Sequence, residues 1–284
     1  MTTFQMPLGT YQLTWILMGY TNLVQIMQGD VTHILQDEIP AYTIPFINDV
    51  PVKGPPSRYQ SDSGTYKTIP SNPGIRCFVW EHLQTMNRIL QCVKKVGGTF
   101  NGKKLEVCVP EIDIVRHHCT YNGRVPSTTK TTVIEDWPPC KTLTEARAFL
   151  GTCGLFRIFI KNYSLHARAI QYLTRKDIPF EWGPAQQSAM DDLKHAVATS
   201  SALHAIDYSS PKPVILAVDS SNIATGYVLF QIGYDDKWYP NRFGSITWNE
   251  WESCYSQAKI ELYGLFHALR AFRLYIISVL RLQV

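Results

Sequence analysis

The stretch VILAVDSSNIATGYVLFQ, residues 214–231, decides the fold of the C-terminal part of the chain. Val214 to Val218 is a continuous apolar run, the pattern of a strand buried on both faces, and Asp219 ends it. A Ser/Asn/Thr/Gly segment from Ser220 to Gly226 reads as a turn leading into a second strand, Tyr227 to Gln231. A third strand fits Arg242 to Thr247. Beyond it Ala258, Leu262, Leu265, Leu269, Phe272 and Ile276 recur at alternating steps of four and three, which predicts a long helix with an apolar stripe. Strands followed by a covering helix predict an α/β (mixed α+β) domain.

Two acids occupy unusual places in this frame. Asp219 sits at the end of the apolar strand, and Glu261 is expected to flank the helix stripe instead of facing open water. A carboxylate beside an apolar face loses hydration and needs a compensating partner. A hard divalent cation is one such partner, and acids sharing such ions form the clamp that hydrolyses phosphodiesters. Read from spacing alone, the same residues also fit a turn aspartate and a solvated helix glutamate.

Towards the N-terminus, Thr142 and Glu145 form a capping box that opens a helix carrying Ala146, Phe149, Leu150 and Cys153. Pro184 suits a first helical position, ahead of Met190, Leu193 and Val197. A helix is expected from Trp80 to Val96, stopped by Gly97-Gly98, and a strand through Leu105, Val107 and Val109. Residues 50–76 are dense in Pro, Gly and Ser and read as a long loop. Lys94, Lys95, Lys103 and Lys104 cluster after the first helix, as a solvated face or as phosphate contacts for nucleic acid.

Composition narrows the classes. The 284 residues are long enough for two cores, and 45% hydrophobic with 18% charged residues excludes a disordered chain. A net charge of +4 permits a nucleic-acid partner without demanding one. Seven scattered cysteines without C-x-x-C predict free thiols in a reducing compartment. No signal-peptide pattern is seen, and Leu274 to Leu280 is too short to span a bilayer, so an intracellular protein of cytoplasm or nucleus is expected. His117, His118, Cys119 and Cys108 lack zinc-site spacing, and adjacent histidines on a strand point to opposite faces.

The segments 214–231, 242–247 and ESCYSQAKIELYGLFHALRAFRLYI (252–276) together resemble the RNase H domain of Ty3/gypsy-type retrotransposon Pol polyproteins. Asp219, Gly226, Gln231, Tyr255, Ser256, Glu261 and Leu262 fall on its pattern in order. WPPCKTLTEARAFLGTCGLFRIFIKNYS (137–164) is similar to the family's connection segment, with Phe180, Trp182, Leu193 and Lys194 continuing the likeness. TTFQMPLGTYQLTWILMGYTN (2–22) resembles a stretch of the reverse transcriptase palm, with Met18, Gly19, Thr21 and Asn22 retained. PFINDV (45–50) stands where the Y-x-D-D motif belongs, and Arg116 replaces the family's Gly before His117.

The resemblance implies a partial reverse transcriptase palm and thumb over 1–122, a helical connection over 123–180 and an RNase H-like domain over 181–284, truncated at its C-terminus. It implies Mg²⁺ or Mn²⁺ held by Asp219, Glu261 and Asp49, an RNA–DNA hybrid or other nucleic acid as partner, and no small-molecule cofactor or membrane. Asn48 stands where the family's first Asp of Y-x-D-D ligates metal, and the third RNase H acid is expected on the strand after the long helix. Both activities are therefore expected to be impaired, with a catalytically inactive nucleic-acid-binding or relic protein as the alternative. Oligomeric state is left open.

Overall fold

The computed structural model describes residues 3–12, 19–114 and 117–284, so Met18 and Arg116 lie outside the described residues. The chain divides into two units, Met1–Cys108 and Val109–Val284.

In the first unit, β1 (Thr3–Met6) and β2 (Gly9–Gln12) form an antiparallel hairpin. Helix α1 (Leu23–Ile34) follows, then a 3₁₀ turn at Gln36–Glu38. The expected loop over 50–76 contains isolated bridges and the short antiparallel pair β3 (Thr68–Ile69) and β4 (Asn72–Arg76). Helix α2 (Cys77–Lys95) starts three residues before Trp80. Gly97, at φ 78°, ends it as expected, and the Gly97 and Gly98 amides bond to the carbonyls of Lys94 and Val93.

The expected strand through Leu105, Val107 and Val109 is not formed. All three side chains are exposed and Cys108 takes φ 53°, which breaks the extended backbone that an alternating pattern needs. An alternation without a neighbouring strand to pair with does not make a sheet.

One ion pair fixes α2 in this unit. The Glu38 carboxylate, only 7% exposed, accepts from Arg88 Nε at 2.9 Å and Nη2 at 3.1 Å, while the guanidinium lies 4.9 Å from the Tyr42 ring centroid. Hydrogen bonding to Glu38 raises the Arg88 pKa further.

The second unit opens with an antiparallel meander of β5 (Glu111–Ile114), β6 (His117–Thr120) and β7 (Gly123–Pro126). Four helices follow: α3 (Thr128–Glu135), α4 (Leu143–Gly154), α5 (Tyr163–Leu173) and α6 (Pro184–Ala198). Thr142 caps α4 by accepting from Glu145 N, and Glu145 reaches back to the Lys141 amide. Pro184 stands at the start of α6 as its ring requires. Their core gathers Phe149, Phe156, Phe159, Ile170, Met190 and Leu193.

The main sheet comprises β8 (Val214–Ser220), β9 (Ala224–Ile232), β10 (Trp238–Thr247) and, after helix α7 (Gln257–Ile276), β11 (Leu282–Gln283). Its order is β10-β9-β8-β11, antiparallel except for the parallel pair β8–β11. Val214, Leu216, Tyr227 and Leu229 pack against Ala268 and Phe272 of α7. Pro240, Asn241 and Ser245 on β10 give their carbonyls to His204 N, Arg124 Nη2 and Arg157 Nη2, which closes that side of the sheet to further pairing.

Val214–Val218 is not buried on both faces: Val214 and Leu216 are buried, whereas Ala217 is exposed. The buried line of α7 is Ile260, Gly264, Ala268 and Phe272, while Leu262 is 70% exposed. Between the large Ile260 and Phe272, Gly264 lets the helix approach Ser220 and Thr225 closely, which apolar periodicity alone does not register.

Arg88→Ala should destabilise the first unit by about 2 kcal/mol, less than the ~3–5 of a fully buried pair because Arg88 is half-exposed. Urea denaturation would show it, and Glu38→Gln in the same chain should recover part of the loss.

Candidate active site

Asp219 lies in β8 opposite Gly226 of β9, and its side chain is exposed. Glu261 lies in the first half of α7, also exposed, and so does not press on the buried stripe as the sequence suggested. One residue links their surroundings. Gln257 Nε2 donates to the carbonyl of Ser220, next to Asp219, at 3.2 Å and to Glu261 Oε1 at 3.0 Å. The side-chain amide thus ties the end of β8 to the acid on α7.

The same junction depends on two glycines. A methyl group on Gly264 would collide with Ser220 Oγ and lie 2.9 Å from Thr225 side-chain atoms, so α7 sits against β8 and β9 with no room for a side chain. Ser220 Oγ and Thr225 Oγ1 are themselves hydrogen-bonded at 2.8 Å. A methyl on Gly226 would meet the Asn162 amide, held by the left-handed backbone of Asn162 (φ 54°) at the start of α5. Ser164 N donates to Ser245 Oγ at 2.9 Å and fixes α5 to the sheet beside it. Gln257 and Gly264 were not singled out in the sequence. A glycine inside an apolar helix was the visible signal of close packing.

On β11, the strand beside β8, Leu282 and Gln283 bring no carboxylate, and among the described residues no group of three His, Cys, Asp or Glu could hold a metal ion. The oxygens of Asp219 and Glu261 suit Mg²⁺ or Mn²⁺ in kind, since hard cations prefer carboxylates.

In the first unit, PFINDV forms a tight turn. Phe46 N donates to Asp49 O at 2.9 Å and Asp49 N to Phe46 O at 3.0 Å, with Ile47 and Asn48 between them. Ile47 takes φ 57°, a conformation primed turns require but one that costs a β-branched residue of order 1–3 kcal/mol. Asn48 and Asp49 are exposed at this turn. Lys94 and Lys95 end α2, Lys103 and Lys104 follow in a 3₁₀ turn, and all four are exposed, with no ion pair among the described residues. The helix C-terminus favours the first two as cations.

The adjacent histidines of β6 separate as the strand alternation predicts. His117 lies 5.1 Å from the Phe159 ring, with its Nδ1 buried and unpartnered, and burial beside Arg124 and Arg242 pushes it down to about 4. His118 Nδ1 pairs with Asp113 Oδ1 at 3.0 Å and lies near Glu111, and the hydrogen bond to Asp113 raises its pKa. Tyr227 packs edge-on against Phe272 at 5.1 Å.

Residues 182–284 match the family described as RNase H-like domain found in reverse transcriptase. Over 200 residues the chain is 28% identical to the Tf2-3 and Tf2-4 transposon polyproteins of Schizosaccharomyces pombe, which covers 70% of this chain. It spans 15% of the length of each of those polyproteins. Solved structures of foamy viral protease-reverse transcriptase share the fold. One, in complex with RNA/DNA hybrid, superposes with TM-score 0.65 at 18% identity, covering 96% of this chain and 34% of that one. Another, in complex with dsDNA, has TM-score 0.60 at 18% identity, covering 96% and 52%. The retrotransposon Pol resemblance and the mixed α/β fold read from the sequence are both borne out. Among the described residues no helix is long and apolar enough to cross a membrane.

Two measurements check this geometry. Gly264→Ala, which in an exposed helix would stabilise by about 0.5–1 kcal/mol, should here destabilise and lower the melting temperature. NMR titration should keep His117 neutral down to about pH 4 while His118 protonates above 6.5. Because the folded His117 pKa is depressed, its contribution to stability is present above 6.5 and lost as pH falls through about 4.

Proposed function

We propose that this chain is a reverse transcriptase/RNase H-like segment that binds RNA–DNA hybrid. In this reading 1–122 descends from palm and thumb, 123–180 from the connection, and 181–284 from the RNase H domain. The observation that carries it is the link Ser220–Gln257–Glu261, which ties the end of β8, one residue past Asp219, to Glu261 on α7 within the segment similar to RNase H-like domains. Asp219 and Glu261 would hold Mg²⁺ or Mn²⁺, which supplies a polarised phosphate and an activated water when bound. Gln257 orients Glu261 by occupying one of its oxygens, leaving the other for a ligand. No small-molecule cofactor and no membrane enter this reading.

A second reading has a specific observation behind it. Asn48 is neutral where the resemblance calls for a metal-ligating acid, so the Phe46–Asp49 turn brings one carboxylate to a site that needs more charge. With Asp219 and Glu261 as the two acids at the seam, the segment binds nucleic acid without completing either reaction.

Lys94, Lys95, Lys103 and Lys104 would carry phosphate contacts. Fluorescence anisotropy with a labelled RNA–DNA hybrid should show affinity falling steeply as salt rises. Neutralising all four to Gln should lower the log–log salt slope by up to about 3, given roughly 0.7–0.9 per phosphate contact. An unchanged slope and affinity in a folded variant would remove these lysines from the interface.

A further inference from the structure

The Phe46–Asp49 turn is held from outside by one residue that its own motif does not contain. Gln28 of α1 accepts from Ile47 N–H through Oε1 at 2.6 Å and donates from Nε2 to Pro45 O at 2.9 Å. These two backbone groups flank Phe46 and point the same way, as on the free edge of a strand, so the side-chain amide pairs with the chain as a neighbouring strand would. Thr32, one helical turn on, locks the arrangement. Its Oγ1 accepts from Gln28 Nε2 at 3.2 Å and donates to Gln28 O at 2.7 Å.

The network leaves the amide no second orientation. Flipping it would set Nε2–H against Ile47 N–H and Oε1 against the Pro45 carbonyl, replacing two hydrogen bonds by two repulsions. The strained residue and the clamp coincide. Ile47, at φ 57°, is the residue whose amide Gln28 holds, and a β-branched side chain stays in that region only where its surroundings over-determine it. The inner edge of the turn is used by the reciprocal Phe46–Asp49 bonds, and the outer edge by Gln28.

We propose that Gln28 is a positioning residue that maintains the strained Ile47 conformation and thereby sets how the turn presents Asp49. This rests on reading Phe46–Asp49 as the polymerase turn. Gln28 does not touch the reacting groups; it acts through the backbone on either side of Phe46.

The test is amide exchange at Asp49, whose N–H bonds to Phe46 O only while the turn is closed. Gln28→Leu should speed that exchange at least tenfold while the α2 amides stay protected. Ile47→Gly removes the strain, because glycine adopts positive φ freely, so Asp49 protection should return in the Gln28→Leu/Ile47→Gly double variant. A general structural defect would not be rescued in that way. If Gln28→Leu loses α1 itself, Gln28→Glu serves the same comparison, since it keeps the acceptor for Ile47 N–H and loses the donor to Pro45 O. Unchanged Asp49 exchange, or no recovery in the double variant, would overturn the proposal. The reading beneath it is tested separately by Mn²⁺ broadening of the Asp49 resonance in an Asn48→Asp chain, which restores the carboxylate that the resemblance calls for. Broadening is the expected result, and its absence would count against the polymerase turn while exchange still decides the part played by Gln28.

Discussion

Helix α7 packs against β8 and β9 at Gly264 with no room for a side chain, and the candidate RNase H-like site depends on that contact. With no side chain at that position the helix axis comes near enough for Ser220 and Thr225 to fill the gap and bond to each other. That distance lets a glutamine side chain reach from α7 to the end of β8, and Gln257 does so while also holding Glu261. Moving the helix outward by one methyl group would break the reach before it disturbed the apolar packing of Ala268 and Phe272 farther along. On the opposite face of the sheet, Asn162 meets Gly226 of β9 and the Ser164 amide bonds to Ser245 of β10, which backs the strands against α7.

The chain's two candidate acidic sites are built by opposite means. At the seam, regular elements with small residues bring the acids' neighbourhoods together. At the Phe46–Asp49 turn a strained backbone is imposed on a residue ill suited to it and held by side-chain hydrogen bonds. Each is an arrangement in which local preference yields to a tertiary contact, which is the pattern expected at sites selected for more than stability.

Much of this was legible in the sequence because it rests on periodicity and on capping. The strand–turn–strand of 214–231, the helix carrying Glu261, the Thr142 cap and the Pro184 start all follow from local rules. What local rules missed has a common cause. Leu262 was read as buried and Gly264 passed over because apolar periodicity counts side chains, whereas the contact with Ser220 and Thr225 requires the absence of one at Gly264. Leu105, Val107 and Val109 alternate like a strand yet have no partner to pair with, and pairing is not encoded in alternation. Gln28 and Gln257 carry no motif signal at all. Their roles arise from the folded geometry, since a glutamine bridging two backbone groups looks like any polar surface residue until the chain is closed.

The most direct test of the account is the fate of a labelled RNA–DNA hybrid incubated with the purified protein and Mg²⁺ or Mn²⁺, beside an Asp219→Asn control. On the proposed reading, with Asp219 and Glu261 as the acids of the seam among the described residues, this segment binds the hybrid and leaves it intact. Cleavage that disappears on Asp219→Asn would contradict the account and show that the seam holds a working site.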